Sequence, residues 1–298
     1  MLSKFFRSPY FFYGLAIGLG VALLYLPSFL RTLPQEKILS FQHPLQASVK
    51  TSNKPYLSTN YYILIDSATN RILVSSNENS RVYPASTTKL ATVLTALNIY
   101  PLAEIITTKA YPDGKVIELQ DNEKVSVKTL VSALLIYSAN DAAYNLASHY
   151  PQDISGFVGQ MNALVSKYGL KNTHFMNYDG LHDPNHYSTP YDLAQIGRLA
   201  SQNPTVLEIV KTKSATLSDI TGKITHYVTT TNELLGVLPE IEGLKTGWTP
   251  EASGCFIGLI NLNGHYLISV VAQSEDRFTD TKLLLDWAKK NVIWRTYQ

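Results

Sequence analysis

Cys255-Phe256-Ile257-Gly258-Leu259-Ile260-Asn261-Leu262-Asn263-Gly264-His265-Tyr266-Leu267-Ile268-Ser269-Val270-Val271-Ala272 reads as two strands, Cys255–Asn261 and Tyr266–Ala272, with Asn261–Gly264 as the hairpin turn between them. Reading outward toward the C-terminus, Leu283, Leu284 and Trp287 mark a closing helix from about Thr279 to Val292. In the other direction Ile241–Thr246, Lys223–Thr229 and Thr212–Leu217 are further strand-like runs. Two more lie far upstream, Tyr61–Asp66 and Arg71–Ser75, separated by the turn residues Ser67-Ala68-Thr69-Asn70. The stretch between these two groups is mostly helical. Leu90, Val93, Leu94 and Leu97 recur at helical spacing after Pro84, which predicts a helix with one face in the core. Leu130, Ala133, Leu134 and Tyr137 belong to another, and Ile154, Phe157, Val158, Met161, Leu164 and Val165 to a third. Thr189-Pro190, with Asp192 three residues after the cap, opens a further helix. Strands, then helices, then strands and a last helix predict an α+β domain whose antiparallel sheet is built from both chain ends, flanked by helices.

The chain ends carry different signals. Lys4 and Arg7 precede an uncharged apolar run from Ser8 to Leu30, longer than the roughly 20 residues a spanning helix needs, and no small-x-small cleavage site follows. Residues 1–30 are therefore read as a short cytoplasmic stub and a transmembrane signal anchor. The positive-inside rule then exports the rest, although Arg31 on the far flank weakens the asymmetry. Residues 31–58, with scattered Pro, Gln, Lys and Ser, read as a linker, and the folded domain is expected over 59–298. A hydrophobic content of 45% supports a substantial core, and a formal net charge of +2 with interspersed signs leaves no basic stripe for nucleic acid. The single cysteine, Cys255, has no partner for a disulfide and reads as a small buried hydrophobe.

Three short motifs carry chemistry. Serine is a poor nucleophile at neutral pH and needs a base within hydrogen-bond reach. Ser86-Thr87-Thr88-Lys89 supplies one a helical turn away, and Pro84 suggests that Ser86 lies at a helix N-terminus. Alone, such a match arises by chance in a chain of this length. Ser138-Ala139-Asn140 falls between two helices, so its side chains can project into a cleft; the same pattern at Ser75–Asn77 and Ser201–Asn203 makes it weak by itself. Lys245-Thr246-Gly247 occurs once, on a predicted strand, where the glycine admits close approach of a substrate or another backbone.

In this order the three motifs form the signature of penicillin-binding proteins and class A β-lactamases. The chain resembles the low-molecular-mass D-Ala-D-Ala carboxypeptidases, the S11 serine peptidases, from about Tyr61 to Val292. The resemblance extends to Tyr83-Pro84-Ala85, Asn140–Ala143, Asn177–Leu181, His186–Thr189, Gly243-Leu244 and Asp276-Arg277-Phe278. It implies a β-lactamase/DD-peptidase-like fold, and a hydrolase that removes the terminal D-alanine from peptidoglycan stem peptides through an acyl-enzyme on Ser86 and is acylated by penicillins. Lys89 is then the base, Ser138 relays a proton to the leaving amine, and Asn140 holds the substrate amide. Lys245, Thr246 and Arg277 face the terminal carboxylate, Gly247 lies in the same binding strand, and the N–H groups of Ser86 and Trp248 form the oxyanion hole. For Arg277 a surface arginine capping the last helix is the alternative.

A class A β-lactamase would need a Glu-x-x-Leu-Asn loop between the second and third motifs, which the sequence lacks, so a penicillin acyl-enzyme is expected to be long-lived. Higher-mass transpeptidases carry extra domains, and many carboxypeptidases a C-terminal β-rich domain with a membrane-binding helix; here the N-terminal anchor is expected to replace that attachment. Alanine stands at position 139 where the family often has glycine. His174, His182 and His186 lie close together, but Pro184 interrupts any helix through them, no acidic second shell is evident, and the family uses no metal or other cofactor. Two alternatives keep the motifs: a crosslink DD-endopeptidase, and a non-catalytic penicillin-binding sensor, against which stand the intact motifs and the short segment before the apolar run.

Overall fold

The computed structural model describes residues 45–295 apart from Ser52. Its centre is a five-stranded antiparallel sheet in the order β3-β2-β10-β9-β8, formed by β2 (Tyr61–Asp66), β3 (Ile72–Ser76), β8 (Ile241–Thr249), β9 (Ser253–Leu262) and β10 (His265–Ser274). The two chain ends meet where β2 pairs with β10, Ile63 opposite Val270. The predicted hairpin is present, turning through Asn263 and Gly264 with φ of 56° and 85°.

Both faces of the sheet are buried. Along β2, Tyr62 and Leu64 point into a core completed by Leu284, Leu285, Trp287 and Ala288 of α7 (Arg277–Asn291), while Ile63 and Ile65 point into the larger helical core. Each fully buried Ile or Leu contributes roughly 1.5–3 kcal/mol of transfer free energy. On the helical side α5 (Pro190–Ser201) crosses the sheet at Gly197, where a Cβ would come within 2.6 Å of Ile257. Beneath it lie α1 (Lys89–Ile99), α2 (Val127–Ile136), α3 (Asn140–Ser148) and α4 (Asp153–Lys167), followed in the chain by α5 and the short α6 (Pro204–Val210). Two small sheets, β4 (Ile105–Thr107) with β5 (Lys124–Ser126) and β6 (Ser214–Ser218) with β7 (Thr225–Thr229), edge the helical region.

Three expectations need correction. The folded domain begins before Thr59, because β1 (Gln46–Val49) pairs antiparallel with β11 (Val292–Arg295) and buries Ala47. Asn53 and Ser58 of that supposed linker are also tied down: Trp287 Nε1 donates to the Asn53 carbonyl at 2.7 Å and Ser58 Oγ to Asp280 at 2.6 Å; residues 31–44 lie outside the described residues. Second, α1 is buried from Lys89 through Ala96 rather than on one face, because it runs through the middle of the helical core. Third, α7 starts at Arg277, two residues before the predicted start, since Asp276 caps it by accepting from Phe278 and Thr279 N–H. No helix among the described residues is long and apolar enough to cross a membrane. The Ser8–Leu30 run lies outside the described residues.

Candidate active site

Ser86 sits on a 3₁₀ turn, Ala85–Thr88, that leads directly into α1 rather than on the helix itself. Ala85 adopts a left-handed conformation, φ 47°, and Thr87 Oγ1 closes the turn on the Pro84 carbonyl at 2.6 Å. Two glycines press against this turn. A Cβ at Gly247 of β8 would lie 2.9 Å from Ser86 N, and one at Gly180, φ 87°, would collide with the Ala85 carbonyl oxygen. The nucleophile backbone is thus held between two chains that lack side chains at the contact.

Lys89 follows as the first residue of α1 and is 1% exposed. Its Nζ donates to Ser86 Oγ at 2.9 Å and to Asn140 Oδ1 at 2.7 Å. Burial lowers its pKa from 10.5 to about 8; the Asp179 carboxylate opposes that shift and the Lys115 cation adds to it. Asn140 opens α3, and its Nδ2 donates to the Asp113 carbonyl at 3.3 Å. Ser138, in the α2–α3 loop with φ 71°, faces the same cleft. Neighbouring Asp141 is fully buried and accepts from the N–H groups of Ile117 at 3.1 Å and Leu119 at 3.0 Å, binding the 113–119 loop to the start of α3.

The opposite wall is β8. Thr246, Gly247 and Trp248 line a cleft of about 290 Å³ together with Ser86, Ser138 and Asn140. Thr246 Oγ1 shares a 2.7 Å hydrogen bond with Thr231 Oγ1, and Trp248 stands 60% exposed at the rim. Lys245 points beneath this wall: it is 1% exposed and donates to the Thr246 carbonyl at 2.9 Å. Burial pushes its pKa well below the ordinary lysine range, and the cations of Lys89, Lys115 and Arg277 push it further. Arg277 is half-buried at the start of α7 and lines the cleft, with its stem against Gly254, the register partner of Trp248. Its Nε is buried without a hydrogen-bond partner among the described residues, and its guanidinium lies 4.5 Å from the centroid of the Phe278 ring.

All nine sequence-predicted residues fall at this one place, eight on the cleft or in contact with its serine and Lys245 just behind. The sequence reading did not single out Lys115, Asp179, Gly180 or Thr231. Gly180 and Asp179 lie inside the Asn177–Leu181 segment that the resemblance covered, and that was the available signal. The histidines do not converge on a metal position. His186 is buried, accepts at Nδ1 from Met176 N–H at 3.2 Å and so donates from Nε2 to Thr88 Oγ1 at 2.8 Å. His174 is hydrogen-bonded to the Asn185 carbonyl, and His182 meets Tyr83 edge-on.

The chain matches the family described as D-alanyl-D-alanine carboxypeptidase, peptidase S11, over residues 48–276. It is 33% identical over 240 residues to a D-alanyl-D-alanine carboxypeptidase from Streptomyces sp. strain K15, covering 74% of this chain and 82% of the relative. Identity to the carboxypeptidase DacA of Haemophilus influenzae is 32% over 253 residues, or 80% of this chain and 63% of the relative. For DacF of Bacillus subtilis it is 30% over 237 residues, 76% and 61%. The matched region thus spans less than two thirds of the Haemophilus and Bacillus proteins. Among solved structures, the Streptomyces DD-transpeptidase superposes with a TM-score of 0.75 at 31% identity, covering 79% of this chain and 98% of that one. With a family match across most of its length and the same fold, this chain belongs to the D-alanyl-D-alanine carboxypeptidase family, peptidase S11.

Proposed function

We propose that the chain is a serine-type D-Ala-D-Ala carboxypeptidase that removes the terminal D-alanine from peptidoglycan stem peptides. The observation that carries this reading is Lys89: a buried amine with a pKa near 8, hydrogen-bonded to the hydroxyl of Ser86 and fixed from the other side by Asn140. Neutral Lys89 takes the Ser86 proton as Oγ bonds to the carbonyl carbon of the penultimate D-alanine. The oxygen that gains charge faces the N–H groups of Ser86 and Trp248, a contribution of roughly 3–4 kcal/mol to the transition state. Collapse breaks the C–N bond, and Ser138 passes a proton from Lys89 to the departing amine. Water then gives a proton to Lys89 and attacks the ester, returning Ser86 and the shortened peptide. Thr246 and Arg277 receive the substrate carboxylate, with Lys245 behind them, and Asn140 holds the substrate amide.

A penicillin enters by the same attack, its amide bond opening on Ser86. The leaving nitrogen stays tethered and no added glutamate activates water, so the ester persists. We read Ser8–Leu30 as the membrane anchor that holds the catalytic domain outside the cytoplasm; fractionation of cells expressing the full chain and a form beginning at Leu45 tests it, with both forms released as soluble protein as the refuting result.

The activity test incubates the protein and Ser86→Ala with a fluorescent penicillin, and separately with a pentapeptide ending in D-Ala-D-Ala while free D-alanine is followed. Labelling and release, both lost in the variant, are expected. Labelling without release points to a sensor or a crosslink endopeptidase, and absence of labelling refutes Ser86 as nucleophile. Because the superposed Streptomyces structure is named a transpeptidase, an added amine acceptor decides whether the acyl group goes to water or to an amine.

A further inference from the structure

No step of the proposed reaction touches Lys115 beyond its effect on the Lys89 pKa, yet it stands on the cleft. The residues lining the cleft carry two cations, Lys115 and Arg277, and no carboxylate. These cations belong to opposite walls. Arg277 lies by β8, against the register partner of Trp248, whereas the carbonyl of Lys115 accepts the Asn140 N–H at 2.6 Å. Ser86 is between them, touched by Gly247 on one side and joined through Lys89 to Asn140 on the other.

The position of Lys115 is built rather than incidental. Its loop is clamped by the two N–H bonds to Asp141, and Gly114 packs so closely on the Asn140 amide that a Cβ there would collide with it. The Lys115 ammonium rests 4.0 Å from the centroid of the Tyr137 ring and makes no ion pair among the described residues. A ring face is a weak substitute for an anion. Glu118, on the same loop, lines a separate groove of about 370 Å³ with Tyr137 and Tyr227, not this cleft.

On the carboxypeptidase reading, Arg277 and Thr246 take the C-terminal carboxylate, and Lys115, bonded through its carbonyl to the Asn140 that holds the substrate amide, is placed to meet the residue before D-Ala-D-Ala. We propose that Lys115 is a specificity-determining residue that binds a second carboxylate, carried by the side chain of that residue. The preferred substrate class is then stem peptides whose third residue ends in a carboxylate rather than an amine or a neutral amide.

The test uses acetyl-X-D-Ala-D-Ala, where X is L-2-aminopimelate, its side-chain carboxamide or L-lysine, with kcat/KM read from D-alanine release. The wild type is expected to favour the carboxylate over the carboxamide by about tenfold, the scale of one charged hydrogen bond. Lys115→Arg keeps that ratio, Lys115→Gln brings it to about one, and Lys115→Glu turns the preference toward the lysine peptide, which no misfolded protein can do. Release without charge preference in the wild type, or a preference that persists in Lys115→Gln, overturns the assignment and leaves the carboxypeptidase standing. Release from no peptide overturns both.

Discussion

Changing pH from 6 to 9 perturbs Lys89 directly, since only its neutral form accepts the Ser86 proton. With a pKa of about 8, the neutral fraction is about 1% at pH 6, about 9% at pH 7 and half at pH 8. An unperturbed lysine would supply roughly 0.03% at pH 7, so burial raises the working base population about 300-fold. The second-order rate of acylation by a fluorescent penicillin, followed by stopped flow at each pH, should therefore rise about tenfold per unit from pH 6 to 7.5 and level off above about 8.5. Asp179→Asn assigns the rising limb, because the Asp179 carboxylate opposes the lowering of the Lys89 pKa. Its removal should move the midpoint to lower pH. A midpoint near 10, a flat profile, or a midpoint unmoved in Asp179→Asn would refute Lys89 as the base.

Gly247→Ala places a Cβ 2.9 Å from Ser86 N and 3.1 Å from the Pro84 carbonyl oxygen. Displacing that N–H should slow acylation roughly a hundredfold and also lower the thermal midpoint, because backbone rather than a flexible side chain must give way; an unaltered rate would mean the Ser86 amide is not an oxyanion donor. His186 gives a stability prediction. Burial lowers its pKa from 6.5 to about 4, so between those values the unfolded chain binds more protons and stability is lost as pH falls. Relative to pH 7, the loss at pH 4.5 is roughly 2–3 kcal/mol from this residue. Urea unfolding should show that part of the acid sensitivity missing in His186→Gln, and parallel curves for the two proteins would contradict it.

Some of this was legible in the sequence, and the reasons differ by element. The β9–β10 hairpin was legible because Asn263-Gly264 suits two consecutive positive φ values and the flanking runs are rich in β-formers. The start of the domain was not, because β1 has only four residues and takes its stability from β11, more than 240 positions away. Helix α1 was found but misjudged: Thr92 looks like a solvent-facing residue, yet its hydroxyl donates to the Tyr178 carbonyl inside the core. At the site, the motif residues were readable because their chemistry lies in short local spacings. Asp179, Lys115 and Thr231 act on the same groups from distant loops, and no local pattern marks a charge that matters only through what folds next to it.

Those distant charges explain how the cleft can hold lysines with opposed tasks. Lys89 must be neutral to act, and Lys245 contributes to carboxylate binding only when protonated, yet both are fully buried and each cation disfavours charge on the other. Burial depresses both, the Lys89 cation depresses Lys245 further, and Asp179 opposes the depression at Lys89. On the carboxypeptidase reading, a substrate carboxylate arriving by Thr246 and Arg277 would add attraction at the Lys245 end and favour a proton there. Once protonated, Lys245 would make charge on Lys89 still less favourable, so binding the correct anion would raise the neutral fraction of the base. On that reading the anionic terminus of the substrate would do more than anchor it: by shifting the proton balance between the two lysines, it would prepare Ser86 for attack.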